Sequence, residues 1–569
     1  MALSARPGIV ALATLLYAAR APGLAAPKVG HAARHGVTAK PLGDTVSGPQ
    51  SQVPGPRKPE TSRKSQPHPS APIETLQFDG ANSNDNLPFF KDVFPPPDPS
   101  GAAGPDHYFQ AINLVFRIFD KSGNTVVGPL PTDSFWSGLG GSCETGNANT
   151  PIVRYDQLAD RFLVSQAAFD PSDGSIHECI AVSTTGDPTG TYNQYDFPLA
   201  DGSVATSARM GLWPDGYYLT VNQFSGFADA GFGVYAFDRS AMLDGQPATF
   251  VYADAGATHP NTLWGLPADL DGTTPPPVGA ANVAVALGSP SLDGSPSDLI
   301  HVWHFHVDFG TPENSTFTGP DDVAIDPFTP LDCGTPTQGC VPQLDSGQLL
   351  QASPNRLMYR LPYRNFTDHE SLVANFTVDA GEGRAGIRWF ELRDPNGAPV
   401  VFQQATYAPD DDSHRFVGAI AMDRVGNVAL GYSKSDATIH PSLAVTGRLV
   451  LDPPGTMGAE SVFFEGPNSQ PPVVGLWGFY SSMAMDPASD CTFWFTGEYT
   501  GVPAPFLCAC WLCDLATAVF GANPRNRNGR KRAASPRLGP HTAFRQPGMS
   551  QTLRFIRRTA EQTDSHNVL

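Results

Sequence analysis

The chain has 569 residues and a formal net charge of −19, with 56 Gly, 56 Pro and 10% aromatic residues. Such acidity excludes nucleic acid as the main partner, because neutralising phosphates needs clustered Lys and Arg. Plentiful turn residues beside plentiful Phe, Tyr and Trp point to many short strands around an apolar core.

Residues 1–26 read as an export signal: Arg6 precedes an apolar stretch through Leu16, and Gly23 and Ala25 supply small residues before Ala26. A secreted, extracellular protein is therefore expected. No other run approaches the roughly 18 apolar residues that a membrane span needs. Export permits disulfides; Cys333 with Cys340 and Cys143 with Cys179 are plausible pairs, although sequence does not determine connectivity. Residues 27–72 hold much Pro, Ser and Lys and little to bury, as a disordered linker or a removed propiece would.

From Ile73 the composition turns aromatic and β-branched, and one pattern recurs seven times: a polar turn, then a short apolar run. Its copies are PDHYFQAIN, ADRFLVSQ, PDGYYLTVN, AANVAVALG, DHESLVANF, RVGNVALGYS and ASDCTFWFTGEY. Most follow another alternating run, such as ARMGLWPD or SSMAMDP, so each pair reads as a hairpin. Third runs such as VFRIFDKSGN, GVYAFDRSAM and IRWFELRDPNG add a further strand. Residues 73–500 are accordingly expected to form an all-β domain, a β-propeller with seven blades, with IETLQFDG closing the ring. A β-sandwich pair or a β-helix is the alternative. The segment 501–569 is an atypical tail: LCACWLCD is followed by residues 514–569, which hold ten Lys or Arg against three Asp or Glu. Cys508, Cys510 and Cys513 lack an evident fourth zinc ligand.

In a propeller the innermost strand of each blade lines a central channel, and ligands bind where those strands begin. Reading backward from each turn places Arg209, Trp264, Arg360, Arg364, Arg415 and Trp477 near that mouth as substrate-binding candidates. Convergent guanidinium forks suit planar anions, and indole faces suit sugar rings. Asp412 and Glu391 are candidate acids, and His414 and Tyr480 candidate bases, for glycoside hydrolysis or elimination. The competing reading has the arginines neutralising neighbouring Asp residues and holding blades together. Asp106, Asp160, Asp215 and Asp490 sit in hairpin turns, where Asp is favoured for local hydrogen bonding. His304, His306 and Asp308 share a face of HVWHFHVD and could ligate a metal, but an outer strand with a polar face explains them equally. DLDGTT from Asp269 and Asp410–Asp412 could hold structural calcium; no cofactor is otherwise required. No P-loop, dinucleotide fingerprint or G-x-S-x-G elbow is present, which disfavours nucleotide enzymes and ordinary lipases.

PSGAAGPDHYFQAINLVFRIFDKSGN, RLMYRLPYRNFTDHESLV, AGIRWFELRD and SSMAMDPASDCTFWFTGEY resemble a group of large secreted bacterial β-propeller-type proteins without a firmly assigned activity. The resemblance covers about residues 76–500 and implies export and fold. The chain departs from the group at two places: LWGFYS carries Phe479 where the resemblance implies an Asp in the W-G-x-Y-S element, and no further strand is evident after Tyr499, where the group continues with one. The expectation is a monomer that binds, and can cleave, an anionic extracellular polysaccharide; a noncatalytic adhesion or scaffold protein is the alternative.

Overall fold

A computed structural model describes residues 26–38, 40–44, 72–146, 150–199, 204–226, 228–334, 339–354, 356–471, 476–501 and 506–514. The export signal, apart from Ala26, and the basic tail beyond Asp514 lie outside the described residues, as do the side chains of Cys508, Cys510 and Cys513.

The fold is all-β and propeller-like. The first sheet is an antiparallel meander of Ser100–Ala103, His107–Ile112, Val115–Asp120 and Thr125–Pro131. The second begins with Ile152–Asp156 and ends with Tyr192–Pro198, and the third runs from Val204–Leu212 to Thr249–Asp254. The fourth starts at Leu266–Leu270 and the fifth at Leu361–Asn365; these two strands pair in parallel and fuse the sheets. The sixth starts at His414–Met422. The last consists of Ser482–Met485, Thr492–Thr500, Phe506–Asp514 and the N-terminal strand Ile73–Asn82.

Each innermost strand touches the innermost strand of the next sheet, and Ser482–Met485 touches Ser100–Ala103, so the arrangement closes on itself. Apolar residues fill the space between neighbouring sheets: Phe109, Phe116, Phe135, Val164 and Ala181 join the first and second, and Ala419, Leu443, Met483 and Phe495 join the sixth and last. Strands buried on both faces read as near-continuous apolar runs, which is why the repeated pattern alternates so weakly. The turn aspartates behave as local chemistry predicts: Asp160 and Asp490 adopt φ of 56° and 51°, conformations that Asp tolerates better than most residues. Two disulfides form among the described residues, Cys143–Cys179 and Cys333–Cys340.

Two stretches depart from the sequence reading. Lys28–His31 and Arg34–Val37, expected to be unstructured, pair antiparallel with the outer strands of the third and second sheets. Strand addition to an open edge rests on main-chain hydrogen bonds and needs no apolar pattern. LCACWLCD, the start of the atypical tail, lies within the strand Phe506–Asp514, between Thr492–Thr500 and Ile73–Asn82. No helix among the described residues is long and apolar enough to cross a membrane.

Candidate functional site

Two layers of charged side chains lie along the innermost strands. The deeper layer is an ion-pair strut. Arg360 donates to Asp269 at 3.1 Å and to the Met483 carbonyl at 3.0 Å, and also pairs with Asp271. Arg154 holds Asp269 at 2.5 Å, and the Leu212 N–H donates to the same carboxylate at 3.1 Å. All four charged side chains are buried. The strut ties the second, third, fourth, fifth and last sheets together, and its partners leave Arg360 no role toward a ligand.

The upper layer sits where the innermost strands begin, and its charges are not balanced in the same way. Arg209 stands 4.7 Å from the Trp264 ring and 5.3 Å from the Tyr480 ring; Arg356 stands 4.4 Å from Trp264 and 4.8 Å from Phe479. The result is an alternating row, Tyr480–Arg209–Trp264–Arg356–Phe479, stabilised by attraction between cation and ring quadrupole. Both arginines are buried, yet neither meets a carboxylate within ion-pair distance among the described residues. Arg209 donates to the Ser207 carbonyl. Arg209 Nε and Arg356 Nε and Nη2 have no hydrogen-bond partner among the described residues. Burial pushes both guanidiniums below their ordinary range, Arg356 to about 10, and the nearby Arg209 charge adds to that effect. Phe479, which stands where the resemblance implies an Asp, contacts Arg356 with a ring instead of a carboxylate.

Two carboxyls hang from consecutive amides beside this row. Asp98 accepts from the Phe479 N–H at 2.9 Å and from Asn113 Nδ2 at 3.1 Å; Glu498 accepts from the Gly478 N–H at 2.9 Å, and its second oxygen has no partner among the described residues. Burial raises Asp98 to about 7, against the pull of those hydrogen bonds and of Arg356. Burial and the neighbouring Asp98 charge raise Glu498 well above the usual carboxyl range. Neighbouring carboxyls in a dry site titrate as a pair that holds on to a proton.

The structure brings together Arg209, Trp264 and Tyr480 of the sequence-derived candidates and disperses the others. Arg364 donates to the Met422 carbonyl at 2.6 Å and to Asp490 at 3.1 Å, at the hairpin-turn end. Arg415 is held by Asp411 and Glu460, each at 2.8 Å, with Lys434 on the same Glu460. Trp477 is fully buried and donates to Ser433 Oγ at 3.1 Å. Glu391 accepts from Ser371 and Arg393 at 2.8 and 2.7 Å, within the fifth sheet. His414 accepts from the Ala385 N–H at 3.1 Å, and burial lowers its affinity for a proton. Asp412 is exposed beside it. Asp98, Arg356 and Glu498 are the members that sequence reading missed.

No group of three or more His, Cys, Asp or Glu among the described residues is placed to hold a metal ion. Of the carboxylates considered for calcium, Asp269 and Asp271 serve the strut and Asp411 binds Arg415. His304 Nε2 donates to the Pro395 carbonyl at 2.8 Å, apart from any such cluster. Ser175, His177 and Asp196 align as nucleophile, base and acid would, at 2.9 and 2.5 Å. However, the N–H groups of Gly174 and Ser175 are committed to the Asp170 carbonyl and the Asp173 carboxylate, so they cannot serve an oxyanion. Asp196 also receives Arg34 at 3.1 Å, so the trio anchors the N-terminal edge strand.

No protein-family profile and no curated protein sequence matches the chain. Solved structures similar to it include an α-L-arabinofuranosidase from Fusarium graminearum (9% identity, 79% of this chain and 99% of that one, TM-score 0.35). Polysaccharide lyase Uly1 (10%, 79% and 100%, TM-score 0.38) and the Hadza microbial sialidase Hz136 (10%, 74% and 75%, TM-score 0.34) are further examples. Likenesses at these scores assign no activity and no residue roles here.

Proposed function

We propose that the chain is an exported, seven-bladed β-propeller that binds an anionic polysaccharide at the mouth of its central channel and cleaves it there. The observation that carries this reading is the pair of buried guanidiniums, Arg209 and Arg356, without carboxylate partners among the described residues. Burying a charge without its counter-charge costs several kcal/mol, and a ligand that supplies the missing negative charge recovers that cost on binding. Trp264 and Phe479, both half-buried, cover the guanidiniums and offer faces to a sugar ring once displaced. The protonated Asp98–Glu498 pair supplies the proton for a leaving glycosidic oxygen, and Tyr480 stands beside Arg209 on the opposite side of Trp264 in the row.

The test is titration calorimetry against acidic and neutral glycans, with reducing ends and the ultraviolet absorbance of unsaturated products followed in parallel. Acidic glycans bind the wild type and fail to bind Arg209→Ala. Equal binding by neutral glycans refutes the reading, and binding without either product leaves a noncatalytic receptor.

A further inference from the structure

Residues 255–265 link the outer strand of the third sheet, Thr249–Asp254, to the innermost strand of the fourth, Leu266–Leu270, and so reach the channel mouth with Trp264. The ends of this link sit directly on their neighbours: a side chain at Gly256 would meet the Ala230 carbonyl at 1.9 Å, and one at Gly265 the Phe232 ring at 2.5 Å. Between them the link is held by isolated contacts. The His259 ring lies 5.3 Å from His301 and 5.6 Å from Trp303, Thr262 Oγ1 donates to Asp293 at 2.8 Å, and the Trp264 N–H donates to Asn222 Oδ1 at 2.8 Å. Trp264 takes a φ of 64°, a conformation that a bulky residue keeps only while its surroundings impose it. Such a segment, with neither helix nor strand of its own, is the kind that opens locally while the sheets stay folded. Beneath its Trp264 end lie the buried guanidiniums of Arg209 and Arg356, at 4.7 and 4.4 Å from the indole.

The contacts at the other end form a charged cluster. His301 Nδ1 bonds Asp322 at 2.6 Å, and its Nε2 bonds Asp293 at 3.0 Å, the same carboxylate that receives Thr262. Against the opposing effect of burial, these bonds raise His301 above its ordinary range. Burial, and then the His301 charge, lower His259, against the pull of Asp322 and Asp293. We propose that residues 256–265 are an acid-released lid over the channel mouth: protonation of His259 beside the His301 cation lifts it and carries Trp264 away from Arg209 and Arg356. A base that is harder to protonate in the seated lid than in water draws the lid toward the open form as pH falls. What enters beneath the lid rests on the reading of the mouth as an anion site; the movement of the lid does not.

The experiment uses the full chain and acrylamide, a neutral fluorescence quencher, with the signal of a Trp264→Phe protein subtracted in each background so that Trp264 alone is read. The other tryptophans whose side chains are described are buried. The Trp264 quenching constant is expected to rise about threefold or more from pH 8 to pH 5, across the range in which histidine charges. In His259→Gln it is expected to stay low throughout, with a thermal unfolding midpoint near that of the wild type. In Thr262→Val, which loses the bond to Asp293 and keeps the side-chain shape, it is expected to be raised already at the higher pH. A wild-type constant that does not change with pH, an equal rise in His259→Gln, or a Thr262→Val protein quenched like the wild type at the higher pH overturns the lid. Calorimetry of the same proteins with a uronic acid oligosaccharide separates the lid from the site beneath it. Tighter binding in acid by the wild type, with no such gain in His259→Gln, is the result expected; a lid that opens in acid with no binding at either pH overturns the anion site and leaves the lid standing.

Discussion

Replacing Arg356 by Met should make the protein more stable while removing its ligand affinity. Burial lowers this guanidinium well below its ordinary range, to about 10, and at about 1.4 kcal/mol per pH unit the folded state bears a penalty of about 3 kcal/mol. The sign follows from the direction: a base whose folded pKa is depressed carries its full penalty below the folded value, so the cost is complete at pH 7 and fades only above about 10. Against it stand the ring contacts with Trp264 and Phe479, each worth ~0.5–1 kcal/mol or somewhat more when desolvated. Met has similar length and no charge to solvate, so a net stabilisation of roughly 1–2 kcal/mol remains after those contacts are lost. Urea unfolding at pH 7, monitored by tryptophan fluorescence with an unchanged m-value, measures the difference. A variant less stable than wild type by more than about 1 kcal/mol would show that the guanidinium supports the fold, and the argument for a missing ligand charge would fail.

Asp98, raised to about 7, and Glu498, raised well above the usual carboxyl range, keep protons in the folded state that the unfolded chain releases nearer pH 4. Stability should therefore fall as pH rises from about 4 through 7; Glu498→Gln should reduce that fall in thermal unfolding at pH 5 and 8, and an identical fall in both proteins would contradict it. Arg360→Ala strands Asp271 without its cation and leaves Asp269 to Arg154 alone, and should cost about 3–5 kcal/mol in urea unfolding; a loss below about 1 kcal/mol would dismiss the strut. Removing the Cys143–Cys179 bridge, which spans 36 positions, should cost up to about 4 kcal/mol by loop entropy. Equal denaturation midpoints for Cys143→Ala/Cys179→Ala and wild type would contradict that.

The hairpins were legible because turn chemistry and apolar runs are local properties of the chain. The site was legible only where register was regular or compensated. Arg209 and Arg415 occupy similar places in their runs, but each innermost strand carries a bulge, with Ser207 at φ 57° and Val417 at φ 51°. Arg209 follows its bulge and faces the other sheets, whereas Arg415 precedes its own and turns to Glu460. Such an extra residue reverses the facing of a side chain and leaves no clear mark in composition. Glu498 lies at the far end of its strand from the hairpin turn, where nothing in the sequence marks it. That strand returns antiparallel, with Ser482 opposite Thr496, so its far end comes back level with Gly478. Arg356 lies four positions before Arg360, beyond the point where counting back from the turn stopped. Asp98 precedes its strand in PPPDPSG, which reads only as a loop.

The last sheet draws strands from both ends of the domain, and the Tyr499 hydroxyl meets Asp79 at 2.8 Å across 420 positions of sequence. Contacts that distant form late, because the entropy of closing so long a loop must be met before they contribute. During synthesis the segment Ile73–Asn82 has no partner until Phe506–Asp514 has emerged, so the N-terminal strand must wait, extended and unpaired, for nearly the whole chain. The circle is thus fastened last, and the proposed anion site, with Asp98 on one side of that seam and Glu498 on the other, cannot exist any sooner.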